Sequence, residues 1–317
     1  MKKQLRSILI IVSLLSGIKA MAQADISMAT HWYNRANYNP ASIARTEYIY
    51  IFSDIQKQWV GIDGAPKVFN VQASQYFNRM HSAFGISLVG DRIGVTQAYN
   101  PMLTYAYRVS NERDWAFSLG LSAGVFTRFV DGSRYDPVTI VDPSIPYDMN
   151  SITRPDANVG LEFQSTYFVI SASTTHLFSI GKSGNLFLNT NHRYGSIIFK
   201  NTNPEMVNYH LGFQVVNRDN LTYYEGNAGI RFKHQTGLIG GPREIFDLGF
   251  TYRTSQSMTL LFGINLSRDF RVGYAFDQSF VTGYNPGGTH ELMLEYRIPS
   301  KASSTHCICE SQGYWYH

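Results

Sequence analysis

The residues best suited to metal chemistry lie at the end of the chain. Cys307 and Cys309 are separated by one residue, His306 precedes them, and His317 is the last residue. Paired cysteines of structural zinc sites are usually separated by two or more residues. We therefore expect incidental thiols in a C-terminal tail, residues 299–317, and neither a metal nor a cofactor elsewhere.

Four acids in a proline-rich stretch form the second candidate metal group. They are Asp131, Asp136, Asp142 and Asp148, between residues 128 and 155. Their spacing lacks the alternating ligand pattern of a calcium-binding loop. We interpret them as solvated acids of one long extracellular loop, residues 128–155.

Motifs of catalysis and nucleotide binding are sparse. The chain has no His-Glu-x-x-His zinc motif, no phosphate-binding loop and no dinucleotide-binding glycine fingerprint. A hydrolase would need a serine, a histidine and an orienting partner brought together from neighbouring strands, and nothing in the sequence indicates such a set. We expect no catalytic residues and no enzyme.

Charged residues near the end of the chain alternate with large apolar ones. The candidates for an interior position are Asp247, Arg271, Asp277, Glu291, Glu295 and Arg297. A basic side chain facing lipid at mid-membrane costs about 2–4 kcal/mol, so this alternation predicts that the charges face the interior of a barrel. One role for these charges is to form salt bridges that rigidify the barrel, and this is the favoured role for any single residue. The alternative is a polar surface that receives a ligand or an inserted peptide.

The elements that position these residues alternate with a period of two. In residues 257–267, Met258, Leu260 and Phe262 share one face while Thr259 and Gly263 share the other. Such alternation is typical of strands with two differently solvated faces. It predicts a transmembrane antiparallel β-barrel of about fourteen strands, an even number as bacterial barrels require. The predicted strands are 47–56, 66–77, 82–90, 95–109, 114–127, 156–164, 166–176, 185–199, 206–216, 221–233, 244–253, 257–267, 269–279 and 289–298.

Composition supports an all-β membrane protein. Charged residues are 16% of the 317 residues, aromatics are 14%, and the mean hydropathy is −0.18. This combination argues against disorder, a helical membrane bundle and a nucleic-acid-binding protein.

The N-terminus predicts export. Residues 1–22 have a basic start, a short apolar core and small residues before Gln23, as in a cleaved signal peptide. Its Lys2, Lys3, Arg6 and Lys19 account for the net charge of +4, so the mature chain is neutral. Residues 23–45 would be an N-terminal segment able to form a small plug, and 46–298 the outer-membrane barrel.

Several ordered motifs carry a family resemblance. They are Tyr-Asn-Pro-Ala at 38–41, Gln-Trp-Val-Gly-Ile-Asp-Gly-Ala-Pro at 58–66, Phe-Gly-Ile-Ser-Leu at 84–88, Arg-Pro-Asp-Ala-Asn-Val-Gly at 154–160, Arg-Val-Gly-Tyr-Ala-Phe-Asp at 271–277 and His-Glu-Leu-Met-Leu-Glu-Tyr at 290–296. In these motifs the chain resembles the PorP/SprF family, outer-membrane barrels of the type IX secretion system. Within the second motif, Trp59, Asp63 and Gly64 are candidates for partner contact, although building the barrel is the favoured role.

The resemblance implies a role in protein secretion without catalysis. The protein would contact outer-membrane lipid. Its protein partners would be envelope components of the secretion system, or the C-terminal sorting domain of a secreted protein such as a gliding adhesin, or both. We expect a monomeric barrel in the outer membrane with no nucleic-acid partner. The alternative is a passive outer-membrane transporter of small or hydrophobic solutes.

Overall fold

The computed structural model describes residues 28–45, 48–111, 114–134, 148–180, 190–201, 207–218, 221–235, 242–280 and 287–298. These residues form one closed antiparallel barrel of fourteen strands, which confirms the predicted fold. The strands are β1 (Ile49–Lys57), β2 (Lys67–Phe77), β3 (Ser82–Ile93), β4 (Thr96–Ser110), β5 (Trp115–Asp131), β6 (Met149–Ser165), β7 (Phe168–Thr175), β8 (His192–Lys200), β9 (Val207–Arg218), β10 (Leu221–Gln235), β11 (Pro242–Arg253), β12 (Ser257–Asn265), β13 (Phe270–Ser279) and β14 (Thr289–Ile298). Each strand pairs with its neighbours in chain order. The barrel closes where β1 pairs with β14, from Ile49 opposite Ile298 to Lys57 opposite His290.

Alternation along the strands separates an apolar exterior from a polar interior. In β12 the side chains of Met258, Leu260 and Phe262 are exposed on the outside, whereas Thr259 is 1% exposed. β5 and β14 show the same pattern, with exposed aromatic and aliphatic residues outside and serine or acidic residues inside. The exterior is therefore a band suited to contact with lipid.

Helical structure among the described residues is confined to short 3₁₀ turns. They are Ala29–Trp32, Arg35–Asn37, Pro40–Ile43, Asn78–Met80, Gly132–Arg134 and Leu177–Ser179. The second and third begin at Asn34 and Asn39, whose side chains accept the backbone N–H of Ala36 and Ala41. Within the described ranges, no helix has the length and apolar character needed to span a membrane.

The lengths of the connections distinguish the two ends of the barrel. The longest connections, from β5 to β6 and from β7 to β8, join strand ends on the side where β1 finishes, and short turns such as 78–81 join strand ends on the other side. Barrels of this class have long extracellular loops and short periplasmic turns. Ile49 and Ile298 are therefore at the periplasmic end, and the connection 58–66 is extracellular.

The predicted long loop, residues 128–155, is too long. β5 continues to Asp131 and β6 begins at Met149, so Pro155 lies within a strand, opposite Val125. β6 pairs with β7 only from Val159 onward, so Pro155 occupies a stretch paired on one side in the described structure. A proline is tolerated there because its missing N–H faces no second strand.

Other predictions are shifted or fall elsewhere. β8 begins at His192 instead of near 185, and residues 185–189 lie outside the described residues. Asp136, Asp142, the predicted signal peptide 1–22 and the cysteine-containing tail 299–317 also lie outside them.

Candidate functional site in the barrel lumen

The interior of the barrel is occupied by the chain's own N-terminal segment. Residues 28–45, which we call the plug, lie inside the barrel. Trp32 and Tyr38 are buried, and Arg35 is completely buried. The plug begins beside β1 and β14 and ends near the periplasmic end, where Arg108 Nη1 donates to the Ala44 carbonyl over 2.8 Å.

The start of the plug is bound to two acids of the barrel wall. Glu291 of β14 accepts hydrogen bonds from the backbone N–H of Ala29 and Thr30, over 2.8 and 3.1 Å. The Thr30 hydroxyl lies between Glu291 and Asp54 of β1, with its oxygen 2.5 Å from Asp54 Oδ2. Gln56 Nε2 donates to the same Glu291 carboxylate over 3.1 Å. Four donors thus converge on one pair of carboxylates.

The middle and end of the plug are bound to one acid on the opposite wall. Arg35 donates Nε and Nη2 to the two oxygens of Glu162 on β6, each over 3.1 Å. Arg45 approaches the same carboxylate with Nε 3.2 Å from Oε1. Two parallel bonds from one guanidinium fix direction as well as distance, so Glu162 sets the position of the plug.

Glycines on the inner wall accommodate the backbone of the plug. Gly120 of β5 and Gly160 of β6 are directly paired, and together they face the Asn39-Pro40-Ala41 stretch. A Cβ at Gly160 would overlap Asn39 Oδ1 and lie 2.9 Å from Pro40 Cδ. A Cβ at Gly120 would overlap the backbone of Pro40 and Ala41. This close approach leaves no room for a Cβ at either wall position.

Two aromatic plug residues contact the walls formed by later strands. Arg271 on β13 places its guanidinium carbon 4.4 Å from the centre of the Tyr33 ring, a cation–π contact. Trp32 packs over Gly212 of β9, where a Cβ would overlap the indole ring. Burial raises the pKa of Tyr33 and of Tyr38, so both remain neutral phenols.

A histidine of the plug joins a further ion-pair group. His31 Nε2 lies 2.9 Å from Glu225 Oε2 on β10, and Arg253 Nε on β11 lies 2.5 Å from the other oxygen of that carboxylate. The plug therefore contacts acids on four strands, β1, β6, β10 and β14.

The six charged candidates predicted for the interior all lie on the inner wall. Asp247 accepts a bond from Arg271 Nη2 over 2.5 Å, and Arg271 Nη1 is 3.6 Å from Glu295. Glu295 also pairs with Arg297. Asp277 accepts the Thr259 hydroxyl over 2.8 Å and lies 3.7 Å from Arg253, and Glu291 binds the plug as described above. Asp247, Arg271, Glu295 and Arg297 thus form one network, whereas Asp277 and Glu291 belong to neighbouring groups.

Trp59, Asp63 and Gly64 lie apart from the lumen, in the extracellular connection Gln58–Pro66. The base of this connection is closed by the Gln58 N–H donating to the Pro66 carbonyl over 2.9 Å. The Gly64 carbonyl accepts from Gly94 N–H over 2.9 Å, and Val60 N–H donates to the Gly288 carbonyl over 3.0 Å. Gly64 has φ +73°, a left-handed conformation that favours glycine. Trp59 is half-buried, while Asp63 is exposed.

The plug's own partners are not apparent from the sequence. Glu162, Glu225 and Arg35 are not among the predicted candidates, although Glu162 has the same parity as the inward Gly160. The sequence also contains a Gly-x-Ser-x-Gly run at 120–124. Ser122 of that run lies within β5, 2.8 Å from the Thr104 hydroxyl, and not at the strand-to-helix turn of a nucleophile elbow. Over the described part of the chain, no three histidine, cysteine or acidic residues are grouped to hold a metal.

A lipid-facing exterior and a lumen filled by the N-terminal segment define a plugged outer-membrane β-barrel. The sequence profile of the family described as type IX secretion system membrane protein PorP/SprF matches residues 20–296, and the chain belongs to this family. It is therefore an outer-membrane component of type IX secretion, and its partners include components of that system.

Solved outer-membrane barrels resemble the chain in fold. The Pseudomonas putida toluene transporter TodX has a TM-score of 0.48 at 7% identity, over 87% of this chain and 95% of that one. A Pseudomonas aeruginosa FadL homologue has a TM-score of 0.43 at 10% identity, over 84% and 93%. The CymD monoaromatic hydrocarbon channel has a TM-score of 0.43 at 10% identity, over 89% and 94%. Among curated proteins, none matches the chain.

Proposed function

We propose that this protein is a non-enzymatic docking barrel, which holds the C-terminal sorting domain of a secreted surface protein, such as a gliding adhesin, at the cell surface. The observation that carries this proposal is the plug, bound to acids on β1, β6, β10 and β14. A lumen occupied in this way favours binding at the rim over passage through the barrel.

The extracellular connection Gln58–Pro66 is the part of the rim best suited to a partner. It is tied to two neighbouring connections through Gly94 and Gly288, so it loses little conformational entropy on binding. Its Asp63 side chain is exposed. A rigid loop with an exposed polar tip is a preorganised contact surface.

Site-specific photo-crosslinking in cells distinguishes this proposal from a related alternative, in which the protein acts within the envelope machinery. A photoreactive residue at Asp63 samples the extracellular rim, and one at Arg268 samples the exposed periplasmic turn between β12 and β13. A docking barrel predicts a crosslink from Asp63 to a secreted protein that disappears when the C-terminal domain of that protein is deleted. Crosslinks only from Arg268, to periplasmic components, would instead assign the chain to the envelope machinery.

Conductance separates docking from passive transport. The wild-type barrel in planar bilayers is expected to show no steady conductance, because the plug contacts acids on opposite walls. Steady conductance of the wild-type barrel, without any crosslinked partner, would favour the transporter.

A further inference from the structure

Three basic residues form a row on the outer surface of the barrel. Lys57 at the end of β1 is directly opposite Lys67 at the start of β2. Lys67 in turn is directly opposite Arg92 near the end of β3. All three side chains are exposed. Directly paired residues of an antiparallel sheet point to the same side with their Cβ atoms about 4.5–5.5 Å apart, so the three cations are immediate neighbours.

The row faces sideways, at the extracellular edge of the lipid-facing band. Lys57 shares its parity with Ile55, which is 59% exposed, and Lys67 shares its parity with Val71, which is 45% exposed. Arg92 follows the outward residues Ile86 and Leu88 of β3. The cations therefore continue the apolar band upward, at the level where the headgroups of the outer leaflet begin.

Backbone pairing holds the three cations of the row next to each other although their charges repel. Like charges directly opposite each other on a sheet are destabilising. No ion pair or hydrogen bond of the Lys57, Lys67 or Arg92 side chain occurs within the described structure. The strand ends that carry them are linked by the bond from Gln58 to Pro66 and by the bond from Gly94 to Gly64. The backbone of β1 to β3 thus holds three cations side by side, and no acidic side chain of the described structure pairs with them.

We infer that the row Lys57–Lys67–Arg92 binds the phosphate groups of an anionic glycolipid in the outer leaflet. A phosphate supplies the missing negative charge, and the acyl chains of the same lipid would lie on Ile55, Val71 and Leu88 directly below. A protein partner on the extracellular side would contact the loops above, whereas this row faces the plane of the membrane.

The test uses the full chain in phosphatidylcholine nanodiscs that contain diphosphoryl lipid A, with the bound lipid counted by native mass spectrometry. Each surface cation contributes about fivefold to anionic lipid binding, so K57Q/K67Q/R92Q should weaken lipid A retention on the order of a hundredfold. Retention by the wild type should fall when salt is raised, and when the lipid A is dephosphorylated. K57R/K67R, which keeps the charges, should retain lipid A like the wild type.

The matched control is R79Q/R193Q/R268Q, which removes three other exposed cations, two of them in periplasmic turns. It should retain lipid A like the wild type, and heat-modifiable migration reports folding of every variant. Equal loss in both triple variants, or wild-type retention in K57Q/K67Q/R92Q, would overturn the inference. So would loss of an acidic protein partner with unchanged lipid A retention.

Discussion

Glu162→Gln should release the plug. Glu162 contacts both Arg35 and Arg45, and its side chain is 3% exposed. The amide keeps the size of the carboxylate but removes its charge, so two buried guanidinium groups lose a shared counter-ion. Removing one partner of a buried ion pair costs about 3–5 kcal/mol. The population of barrels with a displaced plug should therefore rise by between about a hundredfold and a few thousandfold.

Two assays measure this change. In planar bilayers, E162Q should show frequent openings where the wild type is closed. In a background with Cys307 and Cys309 replaced by serine, thiol labelling of A44C should accelerate by a similar factor, because Ala44 is fully buried while the plug is docked.

The matched control is Glu244→Gln. Glu244 is also a buried lumen acid, but it accepts Arg231 Nη1 over 2.9 Å, a bond between β10 and β11 that does not involve the plug. E244Q should lower barrel stability without increasing conductance or A44C labelling. If E162Q and E244Q open and label equally, the pair with Glu162 does not hold the plug and the reasoning is wrong.

The remaining predictions concern the other contacts of the plug and the extracellular loop. Thr30→Val should reduce the free energy of plug docking by about 1–3 kcal/mol, because Asp54 and Glu291 lose the hydroxyl donor. T30S keeps the hydroxyl and should dock like the wild type, and the rate of A44C labelling measures docking in both variants. Gly160→Ala should displace the 39–41 stretch at a cost of about 1–3 kcal/mol, seen as a lower heat-modification temperature, whereas G226A, whose added Cβ would meet only Phe213 at 3.9 Å, should change little. Gly64→Ala should strain the extracellular loop by about 1–2 kcal/mol and reduce the Asp63 crosslink with the barrel still folded, and G64N, which tolerates positive φ, should lose less.

The sequence predicts the walls of this barrel better than its contents. Period-two alternation is a direct consequence of a lipid-facing and a polar face, so residues such as Asp247 and Arg271 can be assigned to the interior from parity alone. Which acid meets which base depends on register across several strands, and this is why the pairing of Arg35 with Glu162, 127 residues apart, is not readable from spacing. The plug has no periodicity, because asparagine caps and contacts with the wall stabilise its 3₁₀ turns. The start of β6 was predicted too late, after Pro155. A strand segment that is paired on one side only accepts a proline that a central strand would not.

Thr30 stands where the barrel is joined. The two acids beside its hydroxyl belong to β1 and β14, the first and last strands, which meet only when the sheet closes on itself. One of the two acceptors for the beginning of the plug, Glu291, thus lies 261 residues further along the chain. The docked plug therefore also links β1 to β14. A barrel closed without the plug would keep Gln56 as a donor to Glu291 but would lose the Thr30 hydroxyl and the backbone N–H groups of Ala29 and Thr30, so the docked plug adds hydrogen bonds across the junction of β1 and β14.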